Sequence, residues 1–231
     1  MNLHGKVALI TGAKGGLGNF VTEAFLAAGA RVVGVSRSIQ ASEFPHAGFT
    51  AIAADLVTGE AARKLVEDVA ARCGRIDALV HVMGGFAGGK SVAETDDATL
   101  EKMLDLNYRS AFFVARAVLP QMRRQGGGRI LAVASRQAVE PGAMVGAYSA
   151  SKAALVALVR TIALENKDRS ICANTVLPGV MDTPGNRAAD PAADRSSWVQ
   201  PAHVAALLVH LASDDGAAIN GAAIPVYGMQ V

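Results

Sequence analysis

Lys6-Val-Ala-Leu-Ile-Thr-Gly-Ala-Lys-Gly-Gly-Leu-Gly18 is the stretch that decides the fold of this 231-residue chain. The apolar run at residues 6–11 predicts a buried strand, and the segment 17–28 predicts the helix that follows it. Three glycines lie in or beside the turn between them: Gly12, Gly16 and Gly18. Glycines there let the backbone approach a pyrophosphate closely, and the helix N-terminus adds N–H donors. The stretch therefore predicts a strand–turn–helix unit that binds a dinucleotide.

The rest of the chain repeats this alternation of strands and helices, as far as a last edge strand at residues 223–227. Apolar strands separated by helices are typical of a parallel sheet covered on both faces. The predicted fold class is α/β: a single Rossmann-like, doubly wound domain over residues 1–231, with about seven parallel strands and helices on both faces. The irregular stretch 178–200 is rich in Pro, Asp, Ala and Ser. Loops of this length are usually functional, so we expect a lid over the site.

Composition argues against several classes of protein. The net charge is +2 and the longest basic run is Arg123-Arg124, so no nucleic-acid surface is expected. The first residues lead into a strand without a signal peptide, and no apolar stretch reaches the roughly 18 residues that span a bilayer. We therefore expect a cytoplasmic protein that does not cross a membrane. Cys73 and Cys172 fit no metal-ligand spacing and are expected to be reduced thiols, and no metal site is predicted.

Two long helices are predicted at residues 98–124 and 146–166. The second carries apolar residues on more than one stripe: Leu155, Val156, Leu158, Val159 and Ile162. A helix that is apolar around much of its circumference is buried on several sides. We therefore expect self-association through these two helices across a two-fold axis, giving a dimer or a tetramer.

A second pattern carries the chemistry: Ser135, Tyr148 and Lys152. Tyr148 and Lys152 are four residues apart, which on a helix puts both side chains on one face. An ammonium beside a phenol favours the phenolate, so we expect the pKa of Tyr148 to fall from its free value of about 10. A tyrosine tuned in this way can donate or accept a proton near neutral pH. Ser135 follows a predicted strand, and together with the glycine turn these residues indicate hydride transfer to or from a small-molecule substrate.

The end of the second predicted strand indicates which nicotinamide cofactor fits. A carboxylate about twenty positions after the glycine turn would bind the ribose 2′-hydroxyl of NAD, but this chain has Val35-Ser36-Arg37 there. Ser36 leaves room, and Arg37 can pair with a 2′-phosphate, assisted by Lys14. NADP(H) is therefore favoured and NAD(H) stays open, because Arg37 can also be a solvated surface residue. Asp55, after the third strand, either meets the adenine or caps a turn.

These motifs resemble those of the short-chain dehydrogenases/reductases over nearly the full chain. Five motifs of that family occur in order and in register, at Thr11-Gly12 with Gly16 and Gly18, Asn107, Ser135, Tyr148 with Lys152, and Pro178-Gly179. One departure is the family's Asn-Asn-Ala-Gly after the fourth strand, which here reads His81-Val-Met-Gly84. Since the family asparagine steadies the sheet, we expect His81 to be a satisfied polar group rather than a catalytic base.

The resemblance implies a role for each of these side chains. Tyr148 would protonate the developing alkoxide as hydride reaches a carbonyl, and Lys152 would lower the tyrosine pKa and hold the nicotinamide ribose. Ser135 would orient the substrate oxygen, and Asn107 would anchor a water that links Lys152 to bulk solvent. The cofactor-binding residues expected are Gly12, Lys14, Gly16, Leu17, Gly18, Ser36, Arg37, Asp55, Leu56, Gly84, Tyr148, Lys152, Pro178, Gly179 and Thr183.

Two segments resemble dihydropteridine reductase, a short member of the same family. They are residues 84–89, which read Gly-Gly-Phe-Ala-Gly-Gly, and residues 181–198 of the lid. Phe86 would be the aromatic of that loop and would stack on a planar ring. Phe86, Trp198 and Ser135 are therefore the expected substrate contacts, although Phe86 and Trp198 can equally be plain packing. That enzyme lacks the family serine and prefers NADH, whereas this chain has Ser135 and Arg37.

Three functions stay open on the sequence. The first is an NAD(P)H-dependent oxidoreductase of a carbonyl or alcohol, which the presence of Ser135 favours. The second is reduction of a quinonoid pterin, and the third is an NADP-binding sensor or scaffold without turnover. Intact Ser135, Tyr148 and Lys152 argue against the third, because a pure binder needs no acid.

Overall fold

One parallel sheet of seven strands organises the computed structural model, which describes residues 1–230. In chain order the strands are β1 (Val7–Thr11), β2 (Arg31–Ser36), β3 (Phe49–Ala53), β4 (Ala78–His81), β5 (Gly128–Val133), β6 (Ile171–Pro178) and β7 (Ala223–Val226). Their order across the sheet is β3-β2-β1-β4-β5-β6-β7, and each neighbouring pair is parallel. This order reverses between β1 and β4, which opens a crevice at the carboxyl ends of those strands. The predicted α/β doubly wound fold is confirmed.

Helices cover both faces of the sheet. Within residues 1–230 they are α1 (Gly16–Ala27), α2 (Gly59–Cys73), α3 (Asp97–Leu104), α4 (Ser110–Arg124), α5 (Gly146–Glu165), α6 (Pro184–Ala189) and α7 (Pro201–Ala212). Side chains of α2, α4 and α5 pack with Leu9 and Leu79 in one core. Those of α1 and α7 pack with Ile10 and Val80 in a second core on the opposite face. Successive strand residues point to opposite faces, so both faces of a doubly covered sheet are apolar.

The long helix predicted over residues 98–124 is one helical run with an irregular centre. α3 ends at Leu104, a π-helical turn spans Asp105–Arg109, and α4 begins at Ser110. Asn107 lies in the middle of this turn and is fully buried. Single π turns inside helices occur frequently at functional sites, and this one brings the predicted asparagine toward the carboxyl edge of the sheet.

The lid predicted as a loop at residues 178–200 contains the short helix α6. The Thr183 hydroxyl caps it by accepting from Asn186 N at 3.3 Å, and Pro184 occupies the first helical position. At its base, Met181 and Val199 form a parallel bridge. The lid is therefore a closed, hydrogen-bonded excursion from the end of β6.

One expectation about apolar segments is wrong. By length and composition, α5 is apolar enough to cross a bilayer. Such a helix is also what the core of a doubly wound fold requires, and α5 packs on the sheet with Leu155, Val159 and Ile162 buried. It also carries the buried Lys152. Length and hydropathy are weak grounds for a span when the helix lies in a protein core.

Candidate active site

The carboxyl edge of the sheet gathers the predicted catalytic residues. Ser135 follows the end of β5 after one residue, and α5 presents Tyr148 and Lys152 from its first two turns. The loop after β4 supplies Gly84 and Phe86 to the same edge. Because all strands are parallel, these loops open on one crevice.

The Ser135 and Tyr148 side chains lie close enough to interact. Ser135 is nearly buried, and its Oγ accepts from Gln137 N at 3.2 Å. Burial raises the pKa of Tyr148 above its ordinary value, and the nearby Ser135 hydroxyl only partly offsets this. The expected fall in the tyrosine pKa is therefore wrong for this arrangement: desolvation penalises the phenolate more than its neighbours stabilise it.

Lys152 does not direct its charge at the tyrosine. Its Nζ donates to the main-chain carbonyl of Val133 at 2.8 Å, and the side chain is buried. Burial lowers the pKa of Lys152 to about 8. A Cβ on Gly84 would lie 3.1 Å from this Nζ and 2.8 Å from Asn107 Oδ1, so a larger residue would displace both groups.

Asn107 fixes the loop after β4. Its Oδ1 accepts from Gly85 N at 2.9 Å, and its Nδ2 donates to Gly85 O and to Ser151 Oγ, both at 3.0 Å. The Asn107 side chain thus holds the glycine loop against α5 at Ser151, the residue before Lys152. The expected water relay through Asn107 stays a prediction.

His81 is held between two elements of the site. Its Nδ1 lies 2.9 Å from Thr11 Oγ1, and its Nε2 lies 3.3 Å from Ser110 Oγ. Ser110 donates its hydroxyl proton to Leu106 O at 2.9 Å, so its oxygen accepts from Nε2–H and Nδ1 accepts from Thr11. Burial, with the charge of Lys152, lowers the pKa of His81 to about 3, so the ring is neutral. His81 is a satisfied polar group, as expected, and it links β1 and β4 to the start of α4.

The glycine turn forms a cradle that leaves no room for side chains. A Cβ on Gly18 would lie 2.0 Å from Gly12 O, and one on Gly12, at φ +70°, would lie 2.7 Å from Met83 N. A Cβ on Gly16 would lie 3.3 Å from Thr183 Cβ, so the lid reaches across to the turn. Backbone at the N-terminus of α1, with a hydroxyl opposite, fits the pyrophosphate of a dinucleotide.

Two residues assigned to the cofactor have buried side chains instead. Leu17, on α1, packs in the core that α1 and α7 form on one face of the sheet. Leu56 packs in the core on the opposite face of the sheet. Any contact they make with a ligand is therefore through the main chain. Asp55 is exposed just after β3, at the carboxyl edge of the sheet.

The region after β2 contains an acidic residue that the sequence pattern did not indicate. Glu43, from the turn Ala41–Glu43, forms an ion pair with Lys14. Lys14 Nζ also donates to Ser38 O at 3.3 Å, and Lys14 N donates to Ser36 Oγ at 3.2 Å. Arg37 is exposed next to this group. Glu43 lies beyond the usual position of the ribose-binding carboxylate, so spacing alone could not reveal it.

Phe86 and Trp198 are placed differently with respect to the tyrosine. The Phe86 ring meets Tyr148 edge-on, with centroids 5.0 Å apart at 71°, and is 67% exposed. Trp198 is half-buried near the end of the lid, and its main-chain N–H donates to Arg195 O at 3.0 Å. Pro178 and Gly179 lie where β6 enters the lid, with Gly179 N bonded to Val226 O at 3.0 Å.

Comparison with known proteins relates the chain to dehydrogenases. A family model described as "short chain dehydrogenase" matches residues 6–194. The chain is 32% identical to 2-dehydro-3-deoxy-D-gluconate 5-dehydrogenase of Dickeya dadantii, over 98% of this chain and 96% of that protein. It is 34% identical to D-threitol dehydrogenase of Mycolicibacterium smegmatis, over 98% and 93%. A short-chain type dehydrogenase/reductase of Mycobacterium ulcerans superposes with a TM-score of 0.93 at 25% identity, covering 100% of this chain and 91% of that one.

Replacement of His81 tests its linking role. We expect His81→Ala to lower the free energy of unfolding by about 1–3 kcal/mol, because it leaves the buried hydroxyls of Thr11 and Ser110 short of a partner. The wild type should lose stability as pH falls from 6.5 towards 3, because His81 is protonated in the unfolded chain but stays neutral in the folded one. The variant should lack this pH-dependent contribution. Urea unfolding at several pH values measures both, with exposed His203→Ala as the control. Equal losses for the two variants would contradict the role.

Proposed function

The chain belongs to the short-chain dehydrogenase family, and we propose that it is an NADP(H)-preferring reductase of carbonyl groups carried on an apolar body. Members of the family are NAD(P)-dependent oxidoreductases that act on alcohols and ketones. The observation that carries the proposal is that Tyr148 lies close to Ser135 and in contact with the exposed Phe86 ring, one helical turn from buried Lys152.

Each catalytic role follows from the state of the side chain. Tyr148, with its raised pKa, keeps its proton at neutral pH and so acts as the acid for reduction. Ser135 donates to the substrate oxygen and orients it toward the tyrosine. Lys152 is charged below about pH 8, and although its Nζ donates to Val133 O, this buried charge one turn away would favour negative charge that develops on Tyr148. A bound nicotinamide would supply the hydride, and a water near Asn107 would complete the proton path from Lys152.

The loops around this group present apolar side chains to solvent: Phe86, Val92, Val139, Met144 and Val180. Phe86 and Val145 both approach Gly88, Val92 approaches Gly146, and Gly89 N bonds to Met144 O at 2.9 Å, so Phe86, Val92 and Met144 form one rim beside Tyr148. Charged side chains of the same loops pair with one another: Lys90 with Asp96, Arg136 with Glu140, and Asp182 with Arg187. An apolar rim with compensated charges favours a hydrophobic or aromatic ketone or quinone over a polyhydroxylated one.

Preference for NADP(H) is supported by the basic groups after β2. Lys14 and Arg37 flank Ser36, and neither Ser36 nor its neighbours along the strand end is acidic. Glu43 competes for Lys14, so part of the positive charge becomes available to a 2′-phosphate only when that ion pair opens.

We also propose that the protein is a cytoplasmic, single-domain homodimer or homotetramer. The outer sides of α4 and α5 support self-association. Phe112 is half-buried with Arg116 5.4 Å above its ring, and Leu164 is exposed.

A quinonoid pterin is a second candidate substrate, favoured by the exposed aromatic Phe86.

A substrate panel tests the reaction and the rim together. We expect NADPH oxidation with aromatic ketones or quinones to exceed that with polyhydroxylated ketones. Phe86→Ala should lower kcat/KM for the aromatic substrates by about 10-fold and leave the polyhydroxylated ones nearly unchanged. Tyr148→Phe should lower kcat at least about 100-fold for every substrate. Preference for polyhydroxylated ketones would overturn the substrate class, and NADPH binding with no turnover of the panel, a quinonoid dihydropterin included, would favour the sensor.

The pH dependence of reduction reports on Lys152. We expect kcat/KM for NADPH, which reflects the free enzyme, to stay level below pH 8 and to fall above it. The pKa of Lys152 is about 8 and that of Tyr148 is raised, so the lysine loses its proton first. Tryptophan fluorescence over the same range controls for unfolding. A profile that stays level to pH 10 would contradict the requirement for the ammonium.

Substitutions after β2 test cofactor choice. Arg37→Ala should weaken NADPH binding about 10-fold through loss of a charge-assisted contact and leave NADH nearly unchanged. Glu43→Gln should strengthen NADPH binding, because Lys14 is released, and again leave NADH unchanged. Calorimetry measures both affinities for each variant. Equal effects on the two cofactors would refute recognition of the 2′-phosphate.

A further inference from the structure

Residues 227–230, which follow β7, form a short tail that lies against both ends of the lid. The side-chain amide of Gln230 pairs reciprocally with the main chain of Val180: Oε1 accepts from Val180 N, and Nε2 donates to Val180 O, both at 2.9 Å. Nε2 also donates to Ser197 O at 3.1 Å. One amide therefore connects the first part of the lid to its last part, beside Trp198.

The same tail is held from the side of the catalytic serine. Arg136, the residue after Ser135, donates from Nη1 to the main-chain carbonyl of Gln230. Its guanidinium lies 4.8 Å above the Tyr227 ring, a cation–π geometry. Its Nε also binds Glu140 Oε2 at 2.6 Å, which fixes the direction of the side chain.

The fit between tail and lid is close. A Cβ on Gly179 would lie 2.7 Å from Gln230 Oε1, so the amide packs directly on the turn where β6 enters the lid. Val180 O accepts from Val199 N as well as from Gln230, both at 2.9 Å, so the amide reinforces the bridge at the base of the lid. At the far side of this lid, Thr183 lies over Gly16 of the cofactor cradle.

We propose that Gln230 is a positioning residue that sets the lid against the cofactor cradle and couples it, through Arg136, to the loop of Ser135. Loss of its amide leaves the main chain of Val180 and Ser197 without these partners, and the lid shifts away from Gly16. The residue acts through the lid and touches no reacting atom. The identity of the ligand comes from the proposed function, whereas the clasp itself is a property of the folded chain.

Gln230→Ala tests this directly, because the lid contains its own reporters. Trp198 is the only tryptophan of the chain, and Arg187 and Arg195 are tryptic sites within the lid. We expect cleavage after these two arginines to accelerate at least about fivefold and the emission of Trp198 to change, since the three hydrogen bonds of the Gln230 amide to the lid are lost. NADPH should bind several-fold more weakly, whereas the pH profile of kcat should keep its shape.

Two variants serve as controls. Met229→Ala alters the neighbouring side chain, which is 82% exposed, and should behave as wild type. Gln230→Glu keeps the size of the side chain but lacks both N–H donors, so it should resemble Gln230→Ala. Identical cleavage and NADPH affinity for Gln230→Ala and Met229→Ala would overturn the proposal. So would faster cleavage throughout the chain with a lower unfolding midpoint, which marks a global defect. Cleavage and fluorescence need no turnover, so they test the clasp even if no carbonyl substrate is reduced.

Discussion

All seven strands run in the same direction, so every loop that leaves a strand at its carboxyl end opens on one edge of the sheet. The sheet topology alone therefore brings four segments to one edge. They are the glycine turn after β1, the loop after β4, Ser135 after β5 and the lid after β6. The reversal of strand order between β1 and β4 fixes where they meet. The remaining features of the site refine this arrangement through a few buried polar groups.

Those buried groups form linked hydrogen bonds beneath the crevice. Lys152 is held by Val133 O, Asn107 by Gly85 and Ser151, and His81 by Thr11 and Ser110. A buried polar group without a partner is costly, so each of these contacts restrains the element that carries it. The consequence for the chemistry is electrostatic: burial keeps the Tyr148 proton in place and brings the pKa of Lys152 close to physiological pH.

The sequence predicted the sheet and its helices, and it predicted that Tyr148 and Lys152 lie one turn apart on one helix, because periodicity and helical spacing are local properties. It missed features that depend on partners far along the chain. The π turn at Asn107 has no distinct apolar period, Glu43 reaches Lys14 from a separate turn, and Gln230 meets Val180 across 50 residues. The predicted direction of the change in the pKa of Tyr148 was also wrong. Spacing places Lys152 one turn from the tyrosine but cannot show that the lysine ammonium binds Val133 O.

The central claim is that Ser135, Tyr148 and Lys152 carry a carbonyl reduction by direct hydride transfer. Its most direct test is label transfer from NADPH with deuterium at both C4 positions of the nicotinamide to an aromatic ketone, read by mass spectrometry of the alcohol. The account predicts an alcohol with a single deuterium on the former carbonyl carbon for the wild type, and almost none for Tyr148→Phe. An alcohol that forms without the label, or labelled alcohol formed equally by Tyr148→Phe, would contradict it.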